Sequence, residues 1–240
     1  MAGLRSVAAT RYVTPLREGG SLPGLVEADD DGLYVLKFRG AGQGIKALVA
    51  EVIAGELGRA LGLAVPEIVL MEVDPALGAA EPDPEIQDLI TGSAGTNVAL
   101  DFLPGSLPYT PAAGFHPPSE TAAAVVWLDA LISNIDRTPR NPNLLVWHER
   151  LWLIDHGAAL YFHHRDWSPE VDAPKPFAGI ADHVLLPIAG SIAEADERLA
   201  QRAAAAVGEA VAAVPADWIE GERYVDYLTR RLAAPRGWVP

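Results

Sequence analysis

Asp136, Asn141 and Asp155 stand in an order suited to phosphoryl transfer. The first Asp lies in Asn134-Ile135-Asp136-Arg137, an Asn follows five positions later, and the second Asp comes fourteen beyond that, between Trp152-Leu153-Ile154 and His156-Gly157. Such chemistry needs a carboxylate to orient or deprotonate an acceptor hydroxyl, and oxygen ligands to hold Mg2+ against nucleotide phosphates. One loop and the strand pair after it could supply all three. Taken singly, each residue also fits ordinary turn chemistry, as Asn141-Pro142-Asn143 illustrates, and Asn143 competes with Asn141 as an oxygen ligand.

Lys37 adds a second element. It sits inside the apolar stretch Tyr34-Val35-Leu36-Lys37-Phe38, and taken alone it reads as a solvent-facing lysine on an edge strand. On the helix that follows, Glu51 is spaced to reach an inward-facing lysine, while Glu56 competes as either that partner or a solvated partner of Arg59. A lysine held by a carboxylate is a fixed point charge suited to nucleotide phosphates.

These residues need elements to position them. Strands are expected at Val7 to Thr14, Leu25 to Ala28 and Leu33 to Arg39, with Asp29-Asp30-Asp31-Gly32 as a turn, so the chain opens as a small antiparallel meander. Apolar residues at Leu48, Val52, Ile53, Leu57 and Leu61 mark a helix over 45–61 that Gly62 stops. Strands follow at Val65 to Val73 and Asn97 to Leu103, separated by a Pro- and Ala-rich loop over 74–83. The Pro- and Gly-rich stretch 104–118 reads as a connector, placing one lobe at 1–103 and another at 104–240. Glu120 to Ile132 is apolar enough for a buried helix. A hairpin over 144–154, an irregular segment over 158–180 and helices around 191–213 and 217–233 complete the chain. Trp127, Trp147 and Trp152 are core candidates. His163-His164-x-Asp166 reads as a solvated loop in preference to a metal site.

With 240 residues, half of them apolar, the chain is globular and can bury a substantial core. A net charge of −14 argues against a broad surface for nucleic acid or an anionic membrane, though a local basic pocket stays open. With no Cys, disulfides, thiolate zinc sites and cysteine nucleophiles are excluded. No stretch approaches the length of a membrane span, so a soluble, cytoplasmic protein is expected, and the Ala-, Gly-, Pro- and Arg-rich composition suggests a bacterial source.

Three passages resemble the HipA-like kinases, a family with the protein-kinase-like fold: Tyr34-Val35-Leu36-Lys37-Phe38; Glu51 with Leu61-Gly62-Leu63-Ala64-Val65-Pro66; and Asn134-Ile135-Asp136-Arg137 with Asn141 and Asp155. The resemblance implies an α+β, two-lobed fold, with a small antiparallel-sheet N-lobe carrying one helix and a mainly helical C-lobe. It makes Asp136 the catalytic carboxylate, Asn141 and Asp155 the Mg2+ ligands, and Lys37, supported by Glu51, the holder of the α and β phosphates of ATP. Gly19, Gly20 and Ser21 become the loop over the phosphates, and backbone groups of Asp101, Phe102 and Leu103 meet the adenine edge. Ser21 is an attractive site of self-phosphorylation, although a turn serine is the simpler reading. The chain departs from the family at Thr138, where a His is common, and in its triplet Asp155-His156-Gly157.

The resulting expectation is an ATP- and Mg2+-dependent phosphotransferase, first of all a serine/threonine protein kinase. Its partners are ATP and a protein or small-molecule hydroxyl acceptor, with no nucleic acid and no membrane. A small-molecule or lipid kinase of the same fold and a nucleotide-binding pseudokinase scaffold are the alternatives.

Overall fold

A computed structural model describes residues 3–16, 22–79 and 81–240. By internal contacts the chain divides into one unit of Met1–Leu48 with Pro66–Pro104 and another of Val49–Val65 with Gly105–Pro240.

In the first unit, β1 (Ser6–Pro15), β2 (Gly24–Ala28), β3 (Leu33–Lys37), β4 (Ile68–Val73) and β5 (Gly95–Asp101) close into a barrel in the order β1-β2-β3-β5-β4. The β2–β3 turn forms because Asp31 takes a left-handed conformation, at φ 62°, and the Gly32 amide donates to Asp30 Oδ1 at 3.0 Å. Alternation then turns Val26, Ala28, Tyr34 and Leu36 into the core with Val69, Met71 and Ala99. The sheet expected to be wholly antiparallel contains one parallel pair, Ser6 to Ala8 of β1 against Leu70 to Glu72 of β4. That pair closes the barrel and removes the open strand edges.

The first unit also holds a helix not assigned from sequence, α2 (Pro84–Gly92), so the expected single helix is corrected. Asp83 caps it, accepting from the Glu85 amide at 3.0 Å, and Pro84 occupies its first turn, where no N–H is needed. Just beyond, the buried Asn97 side chain donates to the carbonyls of Ser93 at 2.8 Å and Gly95 at 2.7 Å and accepts from the Arg39 amide at 2.7 Å. A fully satisfied amide thus fixes the backbone two residues past Lys37.

α1 (Ile45–Ala60) runs across the point where the first unit gives way to the second. It ends at Gly62, at φ 85°, where the Leu63 amide bonds the Gly58 carbonyl at 3.0 Å. Gly58 itself marks a close packing: a Cβ there would lie 3.1 Å from Val65 Cγ2 and 3.4 Å from Leu128 Cδ2. Leu128 belongs to α3 (Ser119–Ile132), in which every residue from Ala122 to Ile132 is buried. Burial all round explains why α3 reads in sequence as an apolar run instead of an amphipathic period.

The rest of the second unit is a small sheet and helices. β6 (Leu107–Pro108), β7 (Leu144–Trp147) and β8 (Arg150–Leu153) pair in that order. The β7–β8 reversal places His148 and Glu149 both at positive φ, the twist a two-residue hairpin requires. The segment 158–180, irregular from sequence, contains single turns and the short α4 (Pro169–Asp172). α5 (Ile192–Ala212) starts at Ser191, whose hydroxyl accepts from the Glu194 amide at 3.2 Å, and α6 (Gly221–Leu232) packs against it. Trp127 is fully buried as expected, whereas Trp147 and Trp152 stand half-buried on the hairpin. Among the described residues, no helix is long and apolar enough to cross a membrane.

Candidate active site

The loop from Asn134 to Asn143 leaves α3 through Ser133, whose left-handed backbone at φ 51° ends the helix. Asn134 Oδ1 accepts from the Asp136 amide at 3.1 Å, and Thr138 and Asn141 exchange both backbone bonds at 3.1 Å. The side chain of Asp136 becomes the focus of this small cage. Asn141 Nδ2 donates to its Oδ2 at 2.8 Å and Asn143 Nδ2 donates to the same oxygen at 3.2 Å. Asn143 also reaches the Asp155 carbonyl at 3.5 Å, so Asp136, Asn141, Asn143 and Asp155 form one connected group. Asn143 and Asp155 sit at φ 49° and 54°, a region Asn and Asp enter more readily than most residues.

Beneath the loop lies a buried ion pair. Asp129, the charged residue inside the apolar run of α3, accepts at Oδ2 from Arg137 Nε at 2.5 Å and at Oδ1 from Asn134 Nδ2 at 3.0 Å. His183 Nδ1 accepts from the Leu185 amide at 3.1 Å, so its Nε2 carries the proton that it donates to Asp129 Oδ2 at 2.8 Å. Burial acts to raise the Asp129 carboxyl, but the charge of Arg137 and the bonds from His183 and Asn134 outweigh it and hold the group well below the usual carboxylate range. Arg137 in turn donates through Nη1 to the Asn143 carbonyl. The chain from Asp129 through Arg137 to Asn143 therefore fixes the loop from below.

Neither the pairing of Arg137 with Asp129 nor the part played by His183 was read from the sequence. The signal for Asp129 was present as the only charge between Ala122 and Ile132. Nothing local marks His183, 54 residues away.

Asp155 ends the hairpin, and the Ile154 amide bonds the Asn143 carbonyl at 3.1 Å, setting the Asp155-His156-Gly157 triplet beside the loop. His156 is fully buried, with Nδ1 3.3 Å from Glu51 Oε1 on α1. Glu51 is buried, whereas Glu56 is partly exposed and pairs with Arg59 at 3.3 Å. The His156 Nε2 atom is buried with no hydrogen-bond partner among the described residues.

Lys37 belongs to the first unit and Glu51 to the second. Lys37 is buried on β3, which is flanked by β2 and β5 and is therefore an interior strand, not the edge strand of the simplest reading. Asp101 ends β5 at the surface, where partial desolvation of its carboxyl, with Glu67 nearby, raises it above its ordinary value. The Asp101 amide bonds the Glu67 carbonyl at 2.8 Å and that of Phe102 the Leu33 carbonyl at 2.9 Å, while Leu103 is buried. Gly19, Gly20 and Ser21 lie outside the described residues. His163, expected in a solvated loop, is instead fully buried, with Nδ1 3.1 Å from the Tyr224 hydroxyl.

Among the described residues, no group of three or more His, Asp or Glu is placed to hold a metal ion. The groups that meet at the loop are instead the Asp136 carboxylate, the side-chain amides of Asn141 and Asn143, and the backbone carbonyl of Asp155. With its Nδ2 turned to Asp136, Asn141 keeps Oδ1 as an acceptor. An all-oxygen set of this kind suits a hard cation such as Mg2+ or Mn2+.

Comparison with known structures defines the fold class. A Helicobacter pylori proinflammatory kinase, CtkA, matches with a TM-score of 0.58 at 11% identity, over 98% of this chain and 95% of that one. The Golgi casein kinase matches at 0.53 and 14% identity over 100% and 72%, and its form with Mn/ADP bound at 0.50 and 13% over 99% and 75%. These likenesses mark a protein-kinase-like fold of mixed α and β structure. No match was found among curated protein sequences. The family model for HipA-like kinases matches residues 10–232, and the chain belongs to that family of kinases.

Proposed function

We propose that this protein transfers the γ phosphate of ATP, with Mg2+, to a serine or threonine hydroxyl on a protein. The observation that carries this reading is the convergence of Asn141 and Asn143 on one oxygen of Asp136, with Asn143 also reaching the Asp155 backbone. That cage holds a carboxylate in one orientation beside further oxygen donors, the preorganisation phosphoryl transfer depends on.

In this reading the acceptor oxygen bonds the γ phosphorus while the bond from that phosphorus to the β–γ bridging oxygen breaks. The hydroxyl proton passes to the Asp136 carboxylate, and ADP departs with the bridging oxygen. Asn141 and Asp155 would hold the cation, which would supply charge neutralisation at the phosphates. Lys37 would bind the α and β phosphates, Gly19, Gly20 and Ser21 would serve as the phosphate loop, and backbone groups of Asp101 to Leu103 would meet the adenine. Glu51 enters through its contact with His156 of the metal triplet. Use of a divalent metal and nucleotide by a protein of this fold is supported by the Golgi casein kinase with Mn/ADP bound.

The test is incubation with Mg-ATP, first alone and then with a bacterial lysate, followed by mass mapping of phosphorylated residues. Phosphoserine or phosphothreonine formed only with active enzyme is expected. A labelled metabolite with no labelled protein would overturn the protein-kinase reading.

A further inference from the structure

The second unit contains a cavity of about 190 Å3 whose wall includes Ile135, the residue immediately before Asp136. Tyr161, Phe177, Arg165, Lys175 and Asp172 line it as well. A void of ~150 Å3 lined by apolar side chains holds a benzene ring, so this one admits a single aromatic or large aliphatic side chain. Ile135 and Tyr161 are 43% and 45% exposed, a high value for residues of their type, and both offer apolar surface to an incoming group.

The charge at the cavity is unlike that of the molecule. Asp172 Oδ1 accepts from Arg165 Nη2 at 2.7 Å and from Lys175 Nζ at 2.8 Å, while its Oδ2 accepts from the Ser168 amide at 2.9 Å. Burial works against this carboxylate, yet the bonds from Lys175, Ser168 and Arg165 hold it ionised, down to about 2. Arg231, also in the wall, is spent on the carbonyls of Ala130, Leu131, Ala173 and Lys175 and serves as structure. At the half-exposed mouth, two cations therefore face one carboxylate. A local positive excess beside an apolar cavity, on a chain of net charge −14, selects an anionic partner.

We infer that this cavity is an acceptor subsite that seats a large apolar side chain of the protein substrate, with an Asp or Glu beside it held by Arg165 and Lys175. Consecutive Cα atoms are about 3.8 Å apart. A side chain resting on Ile135 thus belongs within a few residues of the hydroxyl presented to Asp136. The inference rests on the protein-kinase reading, and it supplies what that reading lacks, a basis for choosing the acceptor.

The test uses fluorescein-labelled short peptides in which Ala replaces the acceptor residue and Glu-Phe stands at each flanking spacing in turn, with Lys-Phe counterparts. Binding is read by anisotropy, so no phosphate transfer is needed. At one spacing, Glu-Phe should bind about tenfold more tightly than Lys-Phe, an advantage that declines with salt. Arg165→Gln combined with Lys175→Gln should bring the two to parity, Lys175→Arg should retain the preference, and Tyr161→Ala should weaken both peptides several-fold. Thermal unfolding of each variant establishes that it is folded. Equal binding of Glu-Phe and Lys-Phe by the wild type, or an undiminished preference in the folded double variant, would overturn the inference. Selective binding without ATP-dependent labelling of the Ser-containing peptides would instead count against the kinase reading alone.

Discussion

Asp129 Oδ2 and Arg137 Nε lie 2.5 Å apart, and neither side chain meets solvent. Because Arg137 follows Asp136 directly and also bonds the Asn143 carbonyl, this pair couples the buried helix α3 to the loop with the candidate catalytic carboxylate. Removing one member leaves the other charge buried. Asp129→Ala is therefore expected to cost about 3–5 kcal/mol, read as a lowered urea midpoint, and to reduce phosphate transfer even under conditions where the variant is folded. A loss below ~1 kcal/mol would mean that the pair contributes no more than a surface contact.

The same group predicts the acid response. The Asp129 carboxyl is held well below its ordinary value, as is that of Asp172 at about 2, so the unfolded chain binds protons that the native state does not. Their contribution is complete above the unfolded carboxylate pKa near ~4 and is lost as pH falls through the native values. Urea midpoints should stay level down to about pH 5 and drop steadily below about pH 4. Asp172→Asn should flatten that drop. A midpoint that rises on acidification would contradict the direction of both shifts.

Asn141 and Asn143 share one Asp136 oxygen but should separate on mutation. Asn141→Ala is expected to lower transfer and to raise the Mg2+ concentration needed, by at least the roughly 10- to 100-fold in metal affinity that loss of a mere outer-shell partner costs. Asn143 has a second duty, since its backbone is left-handed at φ 49°. Asn143→Ala should therefore lose stability of about 1–2 kcal/mol, which Asn143→Gly largely restores without restoring the amide. Equal Mg2+ dependence in wild type and Asn141→Ala would remove Asn141 from the metal site.

His156→Phe keeps a buried ring but takes away the nitrogen that meets Glu51 at 3.3 Å. A buried carboxylate that loses such a partner costs about 1–3 kcal/mol, so reduced thermal stability together with slower transfer is expected. Unchanged values in both assays would reduce the contact to packing.

How much of this was visible in the sequence depended on distance along the chain. Asp136, Asn141 and Asp155 could be read together because a loop and one hairpin connect them, and tight local geometry leaves few ways to arrange such residues. Lys37 could be placed on a strand but not buried, because its neighbours β2 and β5 are set by pairing across the barrel. The parallel β1–β4 pair escaped notice for the same reason, having no hairpin to announce it. Helix α2 was missed despite Asp83-Pro84, a proper N-terminal signal, because the preceding Pro- and Ala-rich residues suggested a continuing loop. His183 was beyond reach altogether, its meeting with Asp129 depending on how residues 158–190 fold back onto α3.

The central claim is that Asp136 receives the acceptor proton as the γ phosphate moves. It is tested most directly by single-turnover transfer from γ-labelled ATP in wild type and Asp136→Asn, which keeps the shape of the side chain and removes its charge. Losing a preorganised group of this kind costs about 3–4 kcal/mol of barrier, a fall of roughly several hundredfold in rate, and ATP binding should be retained. Transfer by Asp136→Asn at close to the wild-type rate would contradict the account.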